Sequence, residues 1–271
     1  MAPDLSFEES SAKTIARHVR NNGCAVLRGV LSPDVVRAYD EQIMAIYRDH
    51  EATLRGDPIA RSRLALTDYE EKSLPDGDIT PELFARRSGG GLTIEGLFSD
   101  PKLREAGQLI ADKFDTSLST FTSVAASSPN ASHGVSFHTD GIIQGTDRLS
   151  LTLWAPFQAC GFDAPGLALI LASQHKVCRY LQGKFPTRQI PGWSSTREWK
   201  LTGAFEASAL KDHFGARCIW LPQFDVGDIA VFTNWTIHGT NISPEMTRRR
   251  STAIFRLQSK TVSEIRPRWF S

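Results

Sequence analysis

Apolar residues recur at helical spacing in three segments of the first 118 residues and at strand spacing in most of the later chain. The apolar residues of the first segment are Ala12, Ile15, Ala16 and Val19. We expect Ser6-Phe-Glu-Glu9 to form the capping box of this helix and Asn22-Gly23 to end it. A short strand is predicted over Cys24–Leu27. Ser32-Pro33 and Asp100-Pro101 are predicted to start the second and third helices.

From about residue 119 onward, short β-rich runs alternate with turns. The predicted strands lie near 119–125, 134–139, 149–156, 166–171, 216–221, 228–232 and 250–258. Several short strands with turn signals are typical of a barrel or a double-sheet jelly roll. We predict one domain over residues 1–271, with a mostly helical flank and lid segment (1–118) and a jelly-roll core (119–258) that contains an insertion (177–215).

Two segments interrupt these patterns and are candidates for covering a site. Residues 56–95 contain turn signals, among them Pro75-Asp-Gly77, around a short helix that would start at Thr80-Pro81. Long loops in a compact domain are often functional, so we predict a lid here. The insertion at 177–215 is either a second lid that contacts substrate or a packed loop.

Composition excludes several function classes. Lys and Arg total 31 against 30 Asp and Glu, a formal charge of +1, so we expect no nucleic-acid partner. The start of the chain lacks the basic and apolar regions of a secretory signal, and the apolar run near Leu167–Ala172 is too short to span a bilayer. We therefore expect no membrane association and a cytoplasmic protein.

The cysteines indicate the redox environment. Cys24, Cys160, Cys178 and Cys218 are scattered, with no Cys-x-x-Cys pair. This distribution argues against a zinc ribbon or a redox pair and predicts free thiols in a reducing compartment.

His138-Thr-Asp140 is the main chemical signal in the sequence. Residues i and i+2 of a strand point to the same side, so His138 and Asp140 can reach one metal. His238 follows a Gly-Asp turn and a strand-like apolar run, and is the candidate third ligand. Two imidazoles and one carboxylate bind non-haem Fe(II) on one face and leave positions open for cosubstrate and oxygen.

Further motifs accompany these three residues in a fixed order. They are Asn22-Gly-Cys-Ala-Val-Leu-Arg-Gly29, Leu149-Ser-Leu-Thr-Leu-Trp-Ala-Pro156, the strand and Ser-x-His turn of 165–176, the Gly227-Asp228 strand, His238-Gly-Thr-Asn241 and Arg248-Arg-Arg-Ser-Thr-Ala-Ile-Phe-Arg256. With His138-Thr-Asp140, this series resembles the phytanoyl-CoA dioxygenase-like family of Fe(II)- and 2-oxoglutarate-dependent oxygenases. The resemblance covers the opening of the chain and residues 130 to 257.

The resemblance implies a mainly β fold with flanking helices around a double-stranded β-helix, a cupin-like jelly roll. It implies that His138, Asp140 and His238 bind Fe(II), with 2-oxoglutarate as cosubstrate and O2 as oxidant. The reaction would convert 2-oxoglutarate to succinate and CO2 while an unactivated carbon of a small-molecule substrate is oxidised. Hydroxylation is the commonest outcome, and desaturation and ring formation remain open. The carboxylate of Asp140 disfavours halogenation, because halogenating relatives have Gly or Ala there.

The far carboxylate of 2-oxoglutarate requires a permanently charged, bidentate partner. In the family this is an Arg on the strand after the distal His, and Arg248, Arg249 and Arg250 are candidates here. Strand alternation places Arg250 and Arg256 on one face and favours Arg250, whereas the spacing from His238 favours Arg249. Further candidates for contact with 2-oxoglutarate are Thr240, Trp154 and Thr152.

Two other interpretations compete with a 2-oxoglutarate oxygenase. A cupin-type metalloenzyme that does not use 2-oxoglutarate would usually have two His one residue apart, and the sequence contains no His-x-His. The chain could also be a catalytically silent metal- or ligand-binding jelly-roll module. The sequence leaves substrate identity and oligomeric state open.

Overall fold

The computed structural model describes residues 3–64, 69–73, 79–84, 100–118, 123–127, 137–140, 149–181 and 207–259. The helices are α1 Ala12–Asn22, α2 Pro33–Leu54, α3 Pro58–Leu64, α4 Pro101–Phe114, α5 Ser173–Leu181 and α6 Ala207–Phe214. The strands are β1 Asp4–Ser6, β2 Cys24–Arg28, β3 Tyr69–Ser73, β4 Ile79–Phe84, β5 Thr116–Leu118, β6 Ser123–Ser127, β7 Ser150–Pro156, β8 Gly166–Ile170, β9 Ile219–Trp220, β10 Ile229–Thr233, β11 His238–Asn241 and β12 Arg250–Ser259.

These strands form two sheets. Among the described residues the large sheet has nine strands, in the order β1-β2-β10-β7-β12-β6-β4-β3, with β5 also paired to β12. The small sheet has the order β11-β8-β9. The described structure is therefore mainly β with flanking helices, and the predicted jelly-roll class is confirmed.

The two faces of the large sheet have different partners. Its outer face contributes residues such as Leu153 and Phe255 to a core shared with helix residues, including Ile15, Ile43 and Leu103. Its inner face contributes a second set to a core shared with Leu167 and Leu169 of the small sheet. That set includes Cys24, Val26, Trp154, Ala230, Phe232 and Ile254. The inner face, between the sheets, is where inward-pointing polar residues can form a site.

Strands β7 and β12 lie at the centre of this arrangement. All seven residues of β7 are buried, because both faces of the strand are covered. The antiparallel register places Arg256 opposite Thr152 and Ile254 opposite Trp154. Side chains of directly opposed residues lie on the same face of a sheet, so Thr152 and Arg256 are neighbours on the inner face.

The N-terminal prediction is partly confirmed. Helices α1, α2 and α4 and strand β2 occur as expected, but the capping box at Ser6-Phe-Glu-Glu9 is wrong. Ser6 instead belongs to β1 and pairs with Arg28 in parallel register. Ser11 caps α1, with its hydroxyl accepting a hydrogen bond from the Thr14 N–H. Because β1 pairs with β2, the backbone at Ser6 is extended, and the N-cap of α1 lies at Ser11, five residues after the predicted one.

The segment 56–95 also differs from the prediction. The expected helix at Thr80-Pro81 is wrong: these residues belong to β4, which forms an antiparallel pair with β3 and continues onto β6. Pairing with a sheet already present outweighs a local helix-start signal. Residues 58–64 of the predicted lid form α3. Its residues 65–68, 74–78 and 85–95, and residues 182–206 of the insertion, lie outside the described residues.

Two further expectations concern thiols and membranes. Cys24 and Cys160 are buried free thiols and Cys218 is a half-buried one. Burial raises the pKa of Cys24 well above its usual range and that of Cys160 to about 12, so both are poor nucleophiles. No helix within the described part of the chain is long and apolar enough to cross a membrane.

Gly227-Asp228 has a structural role at the start of β10. Gly227 has φ +98°, and a side chain there would meet the carbonyl oxygen of Leu31. The buried Asp228 carboxylate accepts hydrogen bonds from the backbone N–H groups of Gly29 and Asp225 and forms an ion pair with Arg28. This cluster joins β2 to β10.

Replacing Asp228 with Ala is expected to lower the free energy of unfolding by roughly 2 to 3 kcal/mol, because two backbone donors lose their acceptor and Arg28 keeps only Asp4 as a carboxylate partner. Denaturant unfolding followed by circular dichroism measures the change. The matched control is Asp163→Ala, which breaks an exposed ion pair with Arg248 and should cost less than about 1 kcal/mol. Equal losses in the two variants would contradict a structural role for Asp228.

Candidate metal centre

His138 and His238 are brought together by direct backbone pairing. The N–H of each donates to the carbonyl of the other, at 2.8 and 2.9 Å, in an isolated antiparallel bridge. His238 also pairs with Leu169 through β11 and β8. The imidazole rings lie with their centroids 4.3 Å apart. The His-x-Asp segment is therefore fixed along the β11 edge of the small sheet, although His138 and His238 are a hundred residues apart in sequence.

Three ligand atoms converge at this point. One ligand atom each from His138, Asp140 and His238 lies within 4.8 Å of the other two. Asp140 Oδ1 is 3.7 Å from His138 Nε2 and 3.6 Å from His238 Nε2. The His138 side chain is 23% exposed, whereas those of Asp140 and His238 are almost fully buried. The site is accordingly most accessible on the His138 side.

The orientation of His238 is set by the chain before it. Its Nδ1 lies 3.0 Å from the Thr236 carbonyl oxygen, which can only accept a hydrogen bond. Nδ1 therefore carries the proton and Nε2 presents its lone pair, as metal-bound imidazoles do. Burial, reinforced by the charge of His138, lowers the pKa of His238 to about 4. At neutral pH the ring is a neutral donor.

Thr236 is itself held by the C-terminal end of α1. Its hydroxyl donates to the carbonyl of Gly23, at 2.7 Å. Gly23 has φ +81°, and a side chain there would collide with Gln174 and Thr236. The Ser173 hydroxyl accepts the N–H of Ile237. The Gly turn after α1 and the start of α5 thus fix the segment that presents His238.

The two oxygens of Asp140 have different environments. Oδ1 faces the two imidazoles, whereas Oδ2 accepts hydrogen bonds from Arg256 Nη1 at 2.6 Å and Thr152 Oγ1 at 2.8 Å. Burial alone would raise the pKa of Asp140, but the charge of Arg256, followed by the two imidazoles, outweighs it. The pKa lies well below the usual range, so the carboxylate is ionised at neutral pH.

These donors fit a divalent transition metal. Two imidazole nitrogens and one ionised carboxylate oxygen, on one side of the centre, form the two-histidine, one-carboxylate set that leaves coordination positions open. An iron ion would be held by His138 Nε2, Asp140 Oδ1 and His238 Nε2. The predicted ligand set is thus brought together in the structure.

Arg250 lies on the inner face near this centre. It is 5% exposed, and its guanidinium carbon is 4.8 Å from the Trp154 ring centroid. Trp154 is two residues along β7 from Thr152, about 7 Å in an extended strand. Burial lowers the pKa of Arg250 to about 10, so it remains a cation at neutral pH. Arg250 thus places a desolvated positive charge against Trp154, two residues along β7 from Thr152, which contacts Asp140.

The other candidates for cosubstrate contact are placed differently. Arg249 is half-exposed and pairs with Glu51 of α2, at 3.3 Å, so it points away from the inner face. Thr240 is half-buried and two residues after His238 on β11. Thr152 contacts Asp140 directly, which gives it a role in holding a ligand.

Sequence reasoning assigned no site role to several residues that the structure places around the metal ligands. In the sequence, Arg256 is distinguished only by lying on the same strand face as Arg250, and Ser173 only by belonging to the Ser-x-His turn. The sequence gives no signal for Thr236, because it orients His238 through its backbone carbonyl, a group that every residue has. Thr252 lies on the inner face, and its buried hydroxyl has no hydrogen-bond partner among the described residues. The inward alternation of β12 was the one signal for Arg256 and Thr252.

Searches of protein-family models and of curated proteins give no match. Solved structures do match. The epimerase SnoN in complex with Fe3+, alpha ketoglutarate and nogalamycin RO has a TM-score of 0.62 and 15% identity, covering 92% of this chain and 84% of its own. EvdO2 from Micromonospora carbonacea var. aurantiaca, complexed with 2-oxoglutarate, has a TM-score of 0.55 and 14% identity, covering 95% and 96%. EctD from S. alaskensis has a TM-score of 0.60 and 14% identity, covering 99% and 87%.

The chain shares their fold. Coverage of more than nine-tenths of this chain in each comparison means that the likeness includes the helical flank as well as the sheets. At these identities the comparison establishes architecture, and the residues of the site carry the argument about chemistry. The resemblance to the phytanoyl-CoA dioxygenase-like family stays a prediction.

Proposed function

We propose that the protein is an Fe(II)- and 2-oxoglutarate-dependent dioxygenase that oxidises an unactivated carbon of a small-molecule substrate. The observation that carries this proposal is the presence, between the two sheets, of the His138, Asp140 and His238 donor set and the buried guanidinium of Arg250. A metal site alone would fit many activities. A metal site with a buried cation beyond it fits a cosubstrate that chelates the metal at one end and carries a carboxylate at the other.

Charge supports a dianionic cosubstrate. A divalent metal with Arg250 and Arg256 would place four positive charges against the single negative charge of Asp140, counting the described residues of the site. A ligand with two carboxylates offsets most of this excess, and a buried guanidinium can bind a carboxylate with two parallel hydrogen bonds. We assign the far carboxylate of 2-oxoglutarate to Arg250, with Thr240 and Thr252 as hydroxyl donors and Trp154 as the adjoining wall.

Two neighbours in fold support 2-oxoglutarate as the cosubstrate. SnoN was crystallised with iron and alpha ketoglutarate, and EvdO2 with 2-oxoglutarate. Iron supplies the oxidation chemistry when bound, while the chain's own residues position the ligands and exclude water. Asp140 fills the place that a halide would need, so we propose oxidation, with hydroxylation as the expected outcome. We further propose a cytoplasmic enzyme of small-molecule biosynthesis.

The deciding experiment measures succinate formation. Protein loaded anaerobically with Fe(II) is mixed with 2-oxoglutarate and O2, alone and with each member of a metabolite panel. We expect a slow basal rate and a compound that raises it, with equal amounts of succinate and oxidised product. Hydroxylation adds one oxygen atom, about 16 Da, to the substrate. Mass spectrometry of the product therefore distinguishes hydroxylation from desaturation, from ring formation and from epimerisation, the reaction for which SnoN is named.

Two results would contradict the proposal and point elsewhere. Tight Fe(II) binding without consumption of 2-oxoglutarate under any condition would favour a cupin-type metalloenzyme that uses another cosubstrate. Absence of Fe(II) binding to folded protein would favour a silent binding module.

A further inference from the structure

Arg256 is the inner-face cation that the proposed function leaves without a task. It is 7% exposed, and on β12 it lies opposite Thr152 of β7. Its Nη1 donates to Asp140 Oδ2, and it also contacts the Thr152 hydroxyl. A buried guanidinium is costly to desolvate, so its placement against one oxygen of one carboxylate calls for a functional reason.

That carboxylate can bind a metal in two ways. With one oxygen it occupies one coordination position, and with both it occupies two. Asp140 Oδ1 faces His138 and His238, whereas Oδ2 is turned towards the large sheet. Rotation of the carboxylate to present both oxygens would break both hydrogen bonds to Oδ2 and leave the Arg256 charge uncompensated in a buried place.

We propose that Arg256 and Thr152 are positioning residues that restrict Asp140 to coordination through Oδ1, so that the metal keeps the positions a chelating cosubstrate needs. This inference rests on the proposed metal site. The large sheet supplies the restraint and the small sheet with the His-x-Asp segment supplies the ligands. The packing of the two sheets thus sets the number of open positions at the metal.

Removing Arg256 is expected to have two distinct effects, one on metal affinity and one on the way in which Asp140 coordinates the metal. Loss of its charge removes a repulsion on the cation, so divalent metal affinity should not fall. Loss of its hydrogen bond frees Oδ2 to coordinate, so Asp140 should take a second position that would otherwise be left to solvent or cosubstrate. A residue needed only for folding would instead reduce metal binding and leave the geometry of the remaining bound metal unchanged.

Co(II) is a suitable probe, because the visible absorption of its complexes changes with the identity and arrangement of the ligands. We expect Arg256→Met to bind Co(II) within about threefold of wild type or more tightly, with altered visible bands, and to need at least about tenfold more 2-oxoglutarate to change that spectrum further. Arg256→Lys keeps a charged donor for Oδ2 and should recover part of the wild-type spectrum. Arg248→Met, the same change at an exposed position, is the control.

Each outcome decides between the alternatives. Thr152→Val removes one hydrogen bond to Oδ2 at constant shape and should change the spectrum in the same direction by less, which provides the test if Arg256→Met does not fold. If Arg256→Met is folded and has the wild-type spectrum, the inference about Arg256 and Thr152 is overturned, while the proposed function is not affected. If Arg256→Met is unfolded, a wild-type spectrum in Thr152→Val has the same meaning. Loss of Co(II) binding by a folded Arg256→Met also overturns the inference. Failure of wild type to bind Co(II) or Fe(II) instead overturns the proposed function.

Discussion

Replacing His238 with Ala is expected to weaken Fe(II) binding by at least about 100-fold and to abolish succinate formation. The imidazole is buried and neutral, and its proton is held on Nδ1 by the Thr236 carbonyl, so Nε2 is available as a donor at neutral pH. With two donors left, Fe(II) would be bound by His138 and Asp140 alone. Competition with a chromogenic chelator under anaerobic conditions measures the affinity.

The control for this variant is His18→Ala. His18 lies on α1, where its Nδ1 is 3.3 Å from the Asn22 side chain, far from the ligand set in sequence and on the outer side of the large sheet. It should keep wild-type Fe(II) affinity and turnover. Wild-type Fe(II) affinity in His238→Ala would show that the metal is held elsewhere, and circular dichroism establishes that both variants are folded.

Replacing Arg250 with Ala is expected to raise the KM for 2-oxoglutarate by at least about 100-fold, since truncating one partner of a buried charged pair costs about 2 to 5 kcal/mol. Fe(II) affinity should change little, because Arg250 is not a ligand. The same substitution at Arg249 removes an exposed pair with Glu51 and should change the KM by less than about threefold. Initial rates of succinate formation over a range of 2-oxoglutarate concentrations measure both.

The comparison of these neighbouring arginines decides between strand alternation and spacing from His238. A large effect in Arg249→Ala with a small one in Arg250→Ala would reverse our assignment. Arg248→Ala, at another exposed ion pair, serves as the reference for loss of surface charge. Equal, small effects in all three variants would mean that 2-oxoglutarate is bound by other residues or is not the cosubstrate.

Helices α1, α2 and α4, strands β2, β7, β8, β10 and β12, and the three side chains that converge at the candidate metal centre could be predicted from the sequence. Strand β7 shows why, since its alternate residues Leu151, Leu153 and Ala155 form the apolar face that packs against the helices. The His-x-Asp spacing allows two ligands on one side of an extended segment wherever that segment lies. Such signals are local, because a strand's period and a turn's residues act over a few positions.

Local signals were misleading where pairing with distant strands competes with them. Thr80-Pro81 has the composition of a helix start, yet the hairpin of β3 and β4 extends the large sheet. Ser6 has a capping pattern, yet it pairs with Arg28. In both places the backbone hydrogen bonds offered by an existing strand determine the conformation.

By itself, the sequence determined which candidate donors are present, that the spacing of His138 and Asp140 lets both reach one metal, and that Arg249 and Arg250 point to opposite sides of a strand by alternation. Only the tertiary structure decided that His138 pairs directly with His238, that Arg250 lies beside Trp154 while Arg249 meets Glu51, and that Arg256 holds Asp140. The physical reason is that these contacts join residues about a hundred or more positions apart, or depend on which face of a sheet another layer covers. Periodicity along the chain contains no information about either.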